Sequence, residues 1–264
     1  SYSVTGVQTC ALPICVPFTL GRLYLLKSQP AKARPHFDSV IALRNDLPGL
    51  WVLRGLTFLQ MDSLKLAENN FDQARQLFPD EPEINYYAGL VLSRQNNNSD
   101  AIPFYEKSLK AEPNSIQTML ALSAAYDEVR DHQKAEQLYI RMLKIRPELP
   151  VVLNNYAYHL ATRNLRLADA LTMAEKALQA EPDNGAYLDT VGWIHFQRGE
   201  YEKAVEYIEK SLKQRPDSAE VMEHLGDAYE KMGQSGKAMQ LWQSALDRDA
   251  SRADLAQKIK RLAQ

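Results

Sequence analysis

The chain has 264 residues, of which 45% are apolar and 24% are charged, a composition typical of folded proteins and not of disordered ones. Its 31 basic and 33 acidic residues give a formal net charge of −2 at pH 7, so no overall positive field would attract nucleic acid or an anionic membrane surface. No apolar run reaches the roughly 18 residues of a membrane-crossing helix, and direct insertion into a membrane is not expected.

Residues 4–14 read VTGVQTCALPI and resemble the translation of a sequencing-library adaptor. We therefore expect residues 1–15 to be a non-native leader, and the native sequence to begin near Val16 as a fragment that lacks its upstream repeats or domains. Cys10 and Cys15 both fall in this leader, so neither a disulfide nor a thiol nucleophile is predicted. The alternative is a native arm that contains both cysteines. Because the true start is missing, the expected localisation is open between the cytoplasm and, in a bacterium, the periplasm or outer membrane.

Seven alanines recur along the remaining chain every 34 residues, with one gap of 35: Ala33, Ala67, Ala101, Ala135, Ala170, Ala204 and Ala238. A small residue lies 12 or 13 positions before each of them, and prolines keep the same period from Pro79 to Pro216. Periods of this length are the signature of a repeat architecture. The columns align when repeats begin at residues 14, 48, 82, 116, 150, 185 and 219, with the extra residue in the turn at 162–166.

These columns resemble the tetratricopeptide repeat, a helix-turn-helix with small residues at positions 8 and 20, aromatic residues at 11 and 24, and proline at 32. The resemblance covers residues 14–251 and implies an all-α, right-handed α-solenoid of seven helical hairpins. The fifth and sixth repeats depart from it at position 24, where Ala174 and Ile208 stand. The run 184–207 is similar to the closing repeats of bacterial members of the family, many of them exported or attached to the outer membrane.

Residues 252–264 continue the pattern as a basic amphipathic helix with Leu255, Ile259 and Leu262 on one side. We expect this segment to cap the array, as atypical terminal helices do in repeat proteins. Its Lys258, Lys260 and Arg261 are expected on a solvated outer face, with contact to an anionic surface as the alternative.

The sequence contains no motif for catalysis or cofactor binding: G-x-S-x-G, G-x-G-x-x-G and the phosphate-binding loop are all missing. The five histidines are scattered, and no two share the i, i+4 spacing that directs both side chains at one metal. We therefore predict a non-enzymatic protein with no catalytic residue, no metal and no cofactor.

The family resemblance implies that the first helix of each repeat lines a concave groove through positions 2, 5, 9, 12 and 13. Tyr158 and Trp193 would anchor a ligand there, while asparagines bind its backbone and acidic residues pair with its Lys or Arg. The alternative is that these side chains pack between adjacent helices or stay solvated. The predicted peptide-binding residues are Asn154, Asn155, Tyr158, Asp189, Trp193, Phe196, Glu223 and Asp227.

The first three repeats contribute an apolar strip to the groove: Phe18, Val52, Leu56, Leu59, Tyr86 and Leu90. This apolar strip predicts either burial beneath missing upstream repeats or a homodimer contact. Position 5 carries no lysine in any repeat, so the grip on a chaperone's C-terminal carboxylate that some family members use is not expected. The predicted function is a protein–protein interaction scaffold that binds an extended peptide or a helix. The alternatives are the regulatory or substrate-docking part of a larger enzyme, and an exported protein of envelope assembly.

Overall fold

The computed structural model describes residues 12–262 of the chain and, from residue 14, their side chains. This range holds fifteen α-helices and no β-strand, and none of these helices combines the length and the apolar character needed to cross a membrane. Residues 1–11 of the predicted leader lie outside the described residues, whereas residues 12–15 form the start of the first helix. The leader's foreign origin stays a prediction.

Fourteen helices follow one another as seven pairs, and a single helix ends the described chain. We call the pairs hairpins 1 to 7 and their first and second members A and B helices. The bounds are α1 (Leu12–Leu26), α2 (Pro30–Leu43), α3 (Pro48–Gln60), α4 (Leu64–Leu77), α5 (Pro82–Arg94), α6 (Asn98–Ala111), α7 (Ile116–Glu128), α8 (His132–Ile145), α9 (Pro150–Thr162), α10 (Leu167–Ala180), α11 (Gly185–Gln197), α12 (Tyr201–Gln214), α13 (Ala219–Lys231), α14 (Ser235–Arg248) and α15 (Ala253–Leu262). The all-α prediction of seven helical hairpins and a C-terminal helix is confirmed.

The turns between paired helices are short because a left-handed residue stops each A helix. Gly199 and Gly233 have φ of 77° and 73°, a region that glycine enters without a steric penalty. After Gly199 the backbone N–H of Glu200 donates to the carbonyl oxygen of His195 at 2.9 Å, which closes the helix end. The turn from α9 to α10 has four residues where the other six have three, and it contains a second left-handed residue, Arg166, with φ of 46°.

Close approach of the two helices explains the columns of small residues. All seven periodic alanines have 0% of their surface exposed. In hairpin 2, a Cβ added to Gly55 would lie 2.1 Å from the ring of Phe71, and in hairpin 7 one on Gly226 would lie 2.5 Å from the indole of Trp242. Because these distances are far below van der Waals contact, the aromatic side chain of the B helix requires glycine opposite it.

The chain divides between Leu138 and Tyr139 into two compact units, which we call unit 1 and unit 2. In unit 1 a core cluster joins α2 to α5 and includes Phe71, Ile84 and Val91, none of which has exposed surface. In unit 2 a cluster joins α12 to α15 around Trp242, which is also fully buried. In both units the cluster spans consecutive hairpins, as expected when no single hairpin can bury its own apolar stripe.

Candidate functional site

All eight predicted binding residues lie in unit 2, on the A helices of hairpins 5, 6 and 7. On each of these helices two of the residues stand four positions apart and so share one face: Asn154 and Tyr158, Asp189 and Trp193, and Glu223 and Asp227. Asn154 and Asp189 are buried, whereas the other predicted residues are partly exposed. By helix, the residues are Asn154, Asn155 and Tyr158 on α9, Asp189, Trp193 and Phe196 on α11, and Glu223 and Asp227 on α13.

The structure brings Tyr158, Asp189 and Trp193 together through two residues that were not among those predicted, Glu220 and His224. The Tyr158 hydroxyl donates to Glu220 Oε1 at 2.9 Å, which links α9 to α13. The Trp193 indole stacks on the His224 imidazole, with ring centroids 4.1 Å apart and planes 19° apart. Asp189 Oδ2 lies 3.0 Å from His224 Nδ1. We call these five residues the A-helix network.

The charges of this network are set by burial and by its carboxylates. Burial alone would lower the pKa of the His224 imidazole, but the Asp189 carboxylate, helped by Glu220 and Glu223, outweighs it and raises that pKa. The charged imidazolium is therefore favoured beside Asp189. Burial also raises the pKa of the Tyr158 phenol, and the nearby Glu220 carboxylate raises it further, so Tyr158 stays a hydrogen-bond donor.

Trp193 forms the centre of the aromatic surface. It is half-buried and stacks on Phe196 as well as on His224, with the Trp193 and Phe196 ring centroids 4.7 Å apart. Packing between adjacent A helices, which was the alternative to ligand binding, therefore accounts for part of its surface. A ligand would contact the remaining, solvent-accessible part of the Trp193 side chain.

Two buried polar atoms beside this surface have no hydrogen-bond partner among the described residues: Trp193 Nε1 and Asn154 Oδ1. The other polar atom of the Asn154 amide is satisfied, because Nδ2 donates to Asn155 Oδ1 at 3.2 Å. Leaving a buried donor or acceptor unpaired costs about 1–3 kcal/mol, and such atoms are rare in folded proteins. One is a donor and the other an acceptor, and a peptide group supplies the complement of each.

The acidic residues at the end of the predicted site already have partners in α15. Lys258 Nζ lies 2.8 Å from Asp227 Oδ1 and 3.3 Å from Glu223 Oε1, and Arg252 also pairs with Glu223. Burial raises the pKa of Asp227, although Lys258 opposes this. The expected solvated outer face of the C-terminal helix is thus wrong for Lys258. Pairing of Glu223 and Asp227 with a ligand's basic residues stays a prediction, and it requires these internal pairs to open.

The apolar strip of the first three repeats is largely packed inside unit 1. Val52 and Leu59 are 4% and 8% exposed, and Leu56 and Leu90 lie partly buried against the same core cluster. The strip therefore offers less open apolar surface than the sequence indicated, because successive A helices cover one another. A homodimer contact through it stays a prediction.

Comparison with known proteins identifies the repeat. Two family models described as Tetratricopeptide repeat match the chain, one at residues 52–116 and 157–219 and the other at residues 195–262. The TPR repeat-containing protein PA4667 of Pseudomonas aeruginosa is 27% identical over 192 residues, which are 72% of this chain. The chain spans only 32% of that relative's length.

Solved structures share the fold at low sequence identity. A tetratricopeptide repeat protein from Parabacteroides merdae superposes with a TM-score of 0.80 at 12% identity, covering 96% of this chain and 100% of the other. The APC/C hetero-tetramer Cut9-Hcn1 superposes with a TM-score of 0.76 at 13% identity, covering 92% of this chain and 48% of the matched chain. At these identities the likeness concerns the fold alone.

Proposed function

Because the chain belongs to the tetratricopeptide repeat family, we propose that it is a non-enzymatic scaffold that binds an extended peptide or a helix of a partner protein along α9, α11 and α13. The repeat itself indicates a protein–protein interaction scaffold. The APC/C hetero-tetramer Cut9-Hcn1 is an example of this fold within a protein assembly. The proposal adds the place on this chain and the chemistry of the ligand.

The observation that carries the proposal is the pair of unsatisfied buried atoms, Trp193 Nε1 and Asn154 Oδ1. Both atoms are covered in the unbound chain, so a peptide reaches them only if the Trp193 and Asn154 side chains turn toward it. A peptide carbonyl that then accepts from Trp193 and an N–H that donates to Asn154 would remove the penalty of both atoms. Such hydrogen bonds to a ligand backbone give affinity without demanding one ligand sequence. Side-chain preference would then come from the exposed parts of Tyr158, Trp193 and Phe196, because aromatic side chains are favoured binding anchors.

The charges of the A-helix network indicate which types of ligand residue can lie beside Trp193. Asp189 is held by His224 and Glu220 by Tyr158, so neither carboxylate needs a cation from the ligand. We therefore expect the stretch of ligand beside Trp193 to be apolar or aromatic. Basic residues of the ligand belong at the α13 end, where Glu223 and Asp227 lie.

A peptide-display selection against the full chain, followed by calorimetric titration of the selected peptide, tests the proposal. We expect Trp193→Ala to weaken binding by at least about 1–2 kcal/mol, or roughly 5- to 30-fold. Trp193→Phe keeps one aromatic ring but removes the Nε1 donor together with part of the indole's apolar area, and should weaken binding by at least about 1 kcal/mol.

Phe104→Ala is the matched control, because Phe104 is a partly exposed aromatic residue of unit 1 that stacks under Arg75 at 4.0 Å. It should leave the affinity unchanged. A selection that yields no ligand, or a ligand that binds Trp193→Ala as tightly as the unaltered chain, would remove this function.

A second candidate follows from the extent of the match to PA4667, of which the chain spans 32%. The binding surface would then be the docking part of a larger protein, including the larger enzyme considered above. The same titration with the longer protein separates the two cases, because a docking part should bind substrate or regulator with the same dependence on Trp193.

A further inference from the structure

The helix α15 takes the place of an additional A helix, and within the described residues no B helix follows it. It begins at Ala253, 34 residues after α13 begins at Ala219, which is the spacing between consecutive repeats. Its sixth residue, Lys258, pairs with the fifth residue of α13, Glu223, at 3.3 Å. His224, the sixth residue of α13, pairs in the same way with Asp189, the fifth residue of α11. The same kind of ion pair, from a sixth residue to a fifth residue, therefore joins α15 to α13 and α13 to α11.

The contact between α15 and unit 2 has an ionic part and an apolar part. On the ionic side, a basic stripe on and just before α15 faces an acidic stripe on α13, in the pairs Arg252 with Glu223, Lys258 with Glu223 and Asp227, and Arg261 with Glu230. On the apolar side, Leu255 is fully buried, and Ile259 and Leu262 pack against the same core cluster. The surface thus recognises an amphipathic helix that carries basic residues beside its apolar face.

α15 is held less completely than any helix of a hairpin. It has ten residues, and a helix of that length is marginal by itself in water. α15 packs against α14, the preceding B helix, but no B helix follows it in the described chain. Arg261 is largely exposed in its pair with Glu230, so salt screens this pair and it stabilises the docked helix little. Arg252 and Lys258 pair with the more buried Glu223 and Asp227 and hold α15 more strongly.

We infer that α15 is an intramolecular occupant of a docking site for a basic amphipathic helix of a partner protein, and that this partner displaces α15 from the acidic stripe of α13. The inference rests on the proposed function, for which it names the partner class at the α13 end and a means of regulation. The partner helix resembles α15 in chemistry: apolar residues at i, i+4 and i+7 and basic residues at i+3 and i+6, as at residues 255, 259, 262, 258 and 261.

The covalent connection between α14 and α15 determines how strongly α15 competes with an added partner helix. A segment joined by a short linker has an effective concentration on the order of millimolar at its own site. The apparent affinity for a partner helix is reduced by the fraction of chains in which the site is open. Weakening the docked α15 should therefore raise the affinity for an added helix of the same chemistry, although the acidic stripe itself is unchanged.

The test uses a labelled synthetic peptide of the chain's own residues 250–264 as the probe. Three full-length proteins are compared by fluorescence anisotropy: the unaltered chain, the double variant R252Q/K258Q and the control K260Q, which changes an exposed lysine of the same helix. We expect the double variant to bind the probe at least about tenfold more tightly than the unaltered chain. The control should bind like the unaltered chain, and raising the salt concentration should weaken binding by the double variant.

Hydrogen exchange on the same three proteins shows whether α15 opens alone or together with α13 and α14. In the double variant we expect faster exchange in α15 and unchanged protection in α13 and α14. Equal probe affinity for the double variant and the unaltered chain would overturn the inference. Loss of protection in α14 would also overturn it, because α15 would then be an integral part of hairpin 7. Since the probe is a segment of this chain, neither result depends on the ligand selected through Trp193, and failure of the proposed function would be seen separately.

Discussion

Units 1 and 2 join successive A helices at the same positions with opposite chemistry. In unit 1, Val52 and Tyr87 are the fifth residue of α3 and the sixth residue of α5; Val52 belongs to the apolar core cluster, and Tyr87 packs against the same cluster. Phe18 and Leu53, which have the same separation in the chain, both pack against a second apolar cluster. Burial of apolar area stabilises these contacts without requiring any particular direction of approach.

In unit 2 the corresponding positions hold ion pairs between α11 and α13 and between α13 and α15. Asp189 and His224 are the fifth residue of α11 and the sixth residue of α13, and their side chains are 5% and 9% exposed. Glu223 and Lys258 repeat the arrangement one helix later. Both members of each pair must be present, because a buried charge without its partner pays the full cost of desolvation.

The difference teaches that the hairpin backbone fixes where two side chains meet and leaves their chemistry free. An apolar pair tolerates loss of one member as a cavity, whereas an ionic pair does not. Unit 2 therefore depends on specific partners for the same contact that unit 1 makes with apolar area. The same charged residues, Asp189 and His224, contribute the polar surface beside Trp193.

Asp189→Ala should produce the largest loss. It leaves the buried His224 without its carboxylate, and breaking a buried pair in this way costs about 3–5 kcal/mol. In unit 1 Val52→Ala removes two methyl groups from a position that is 4% exposed and should cost about 2 kcal/mol. Hydrogen exchange in α11 and α13, or in α3 and α5, measures each loss locally, since repeat arrays need not unfold in one step.

The double variant Asp189→Leu/His224→Leu sharpens the same comparison. It places an apolar pair like that of unit 1 into unit 2, and such replacements of buried ion pairs are often neutral or stabilising. We expect it to recover most of the stability that Asp189→Ala loses. If the double variant is as unstable as the single one, the two units differ in more than the chemistry of this pair.

Ala204→Leu tests the packing that the two units share, and its effect should be intermediate. Ala204 is fully buried, and its carbonyl oxygen would lie 3.2 Å from a Cβ placed on Gly192 of the paired helix. A larger side chain must push α11 and α12 apart, at a cost of about 1–3 kcal/mol. The control Lys203→Leu changes the exposed neighbour and should leave the thermal midpoint nearly unchanged. Equal destabilisation by both variants would contradict the packing of this hairpin.

The sequence predicted the features of the fold that depend on the residue type at one position of the repeat. A column of alanines predicted helix contact because only a small residue fits there, and Ala204 is an example. The extra residue between α9 and α10 could be placed because surface turns tolerate insertion. His224 could not be predicted as part of the network, because its role depends on the pairing of a sixth residue with the fifth residue of the preceding A helix. For the same reason the sequence predicts Lys258 in solvent, whereas the structure pairs it with Glu223, the fifth residue of α13.

The smallest expected effect is a dependence on pH that separates the two ion pairs of unit 2. The pKa of His224 is raised in the folded chain because Asp189, Glu220 and Glu223 outweigh its burial. In the unfolded chain a histidine has its ordinary pKa of about 6.5. The pair therefore contributes its full stability below about pH 6.5 and loses it as the pH rises through the raised folded-state pKa. Protection of α11 and α13, corrected for the pH dependence of intrinsic exchange, should fall over this interval.

The pair of Glu223 with Lys258 is the internal control for that measurement, because it has the same geometry and a cation that does not titrate there. Burial would lower the pKa of Lys258, but Asp227 and Glu223 outweigh it and raise that pKa above the ordinary lysine value of 10.5. Protection of α15 should thus stay constant between pH 6 and pH 8.5, values at which lysine remains charged. In His224→Gln the fall in α11 and α13 should disappear as well. A fall that persists in His224→Gln would assign the pH dependence to another group and leave the two pairs equivalent.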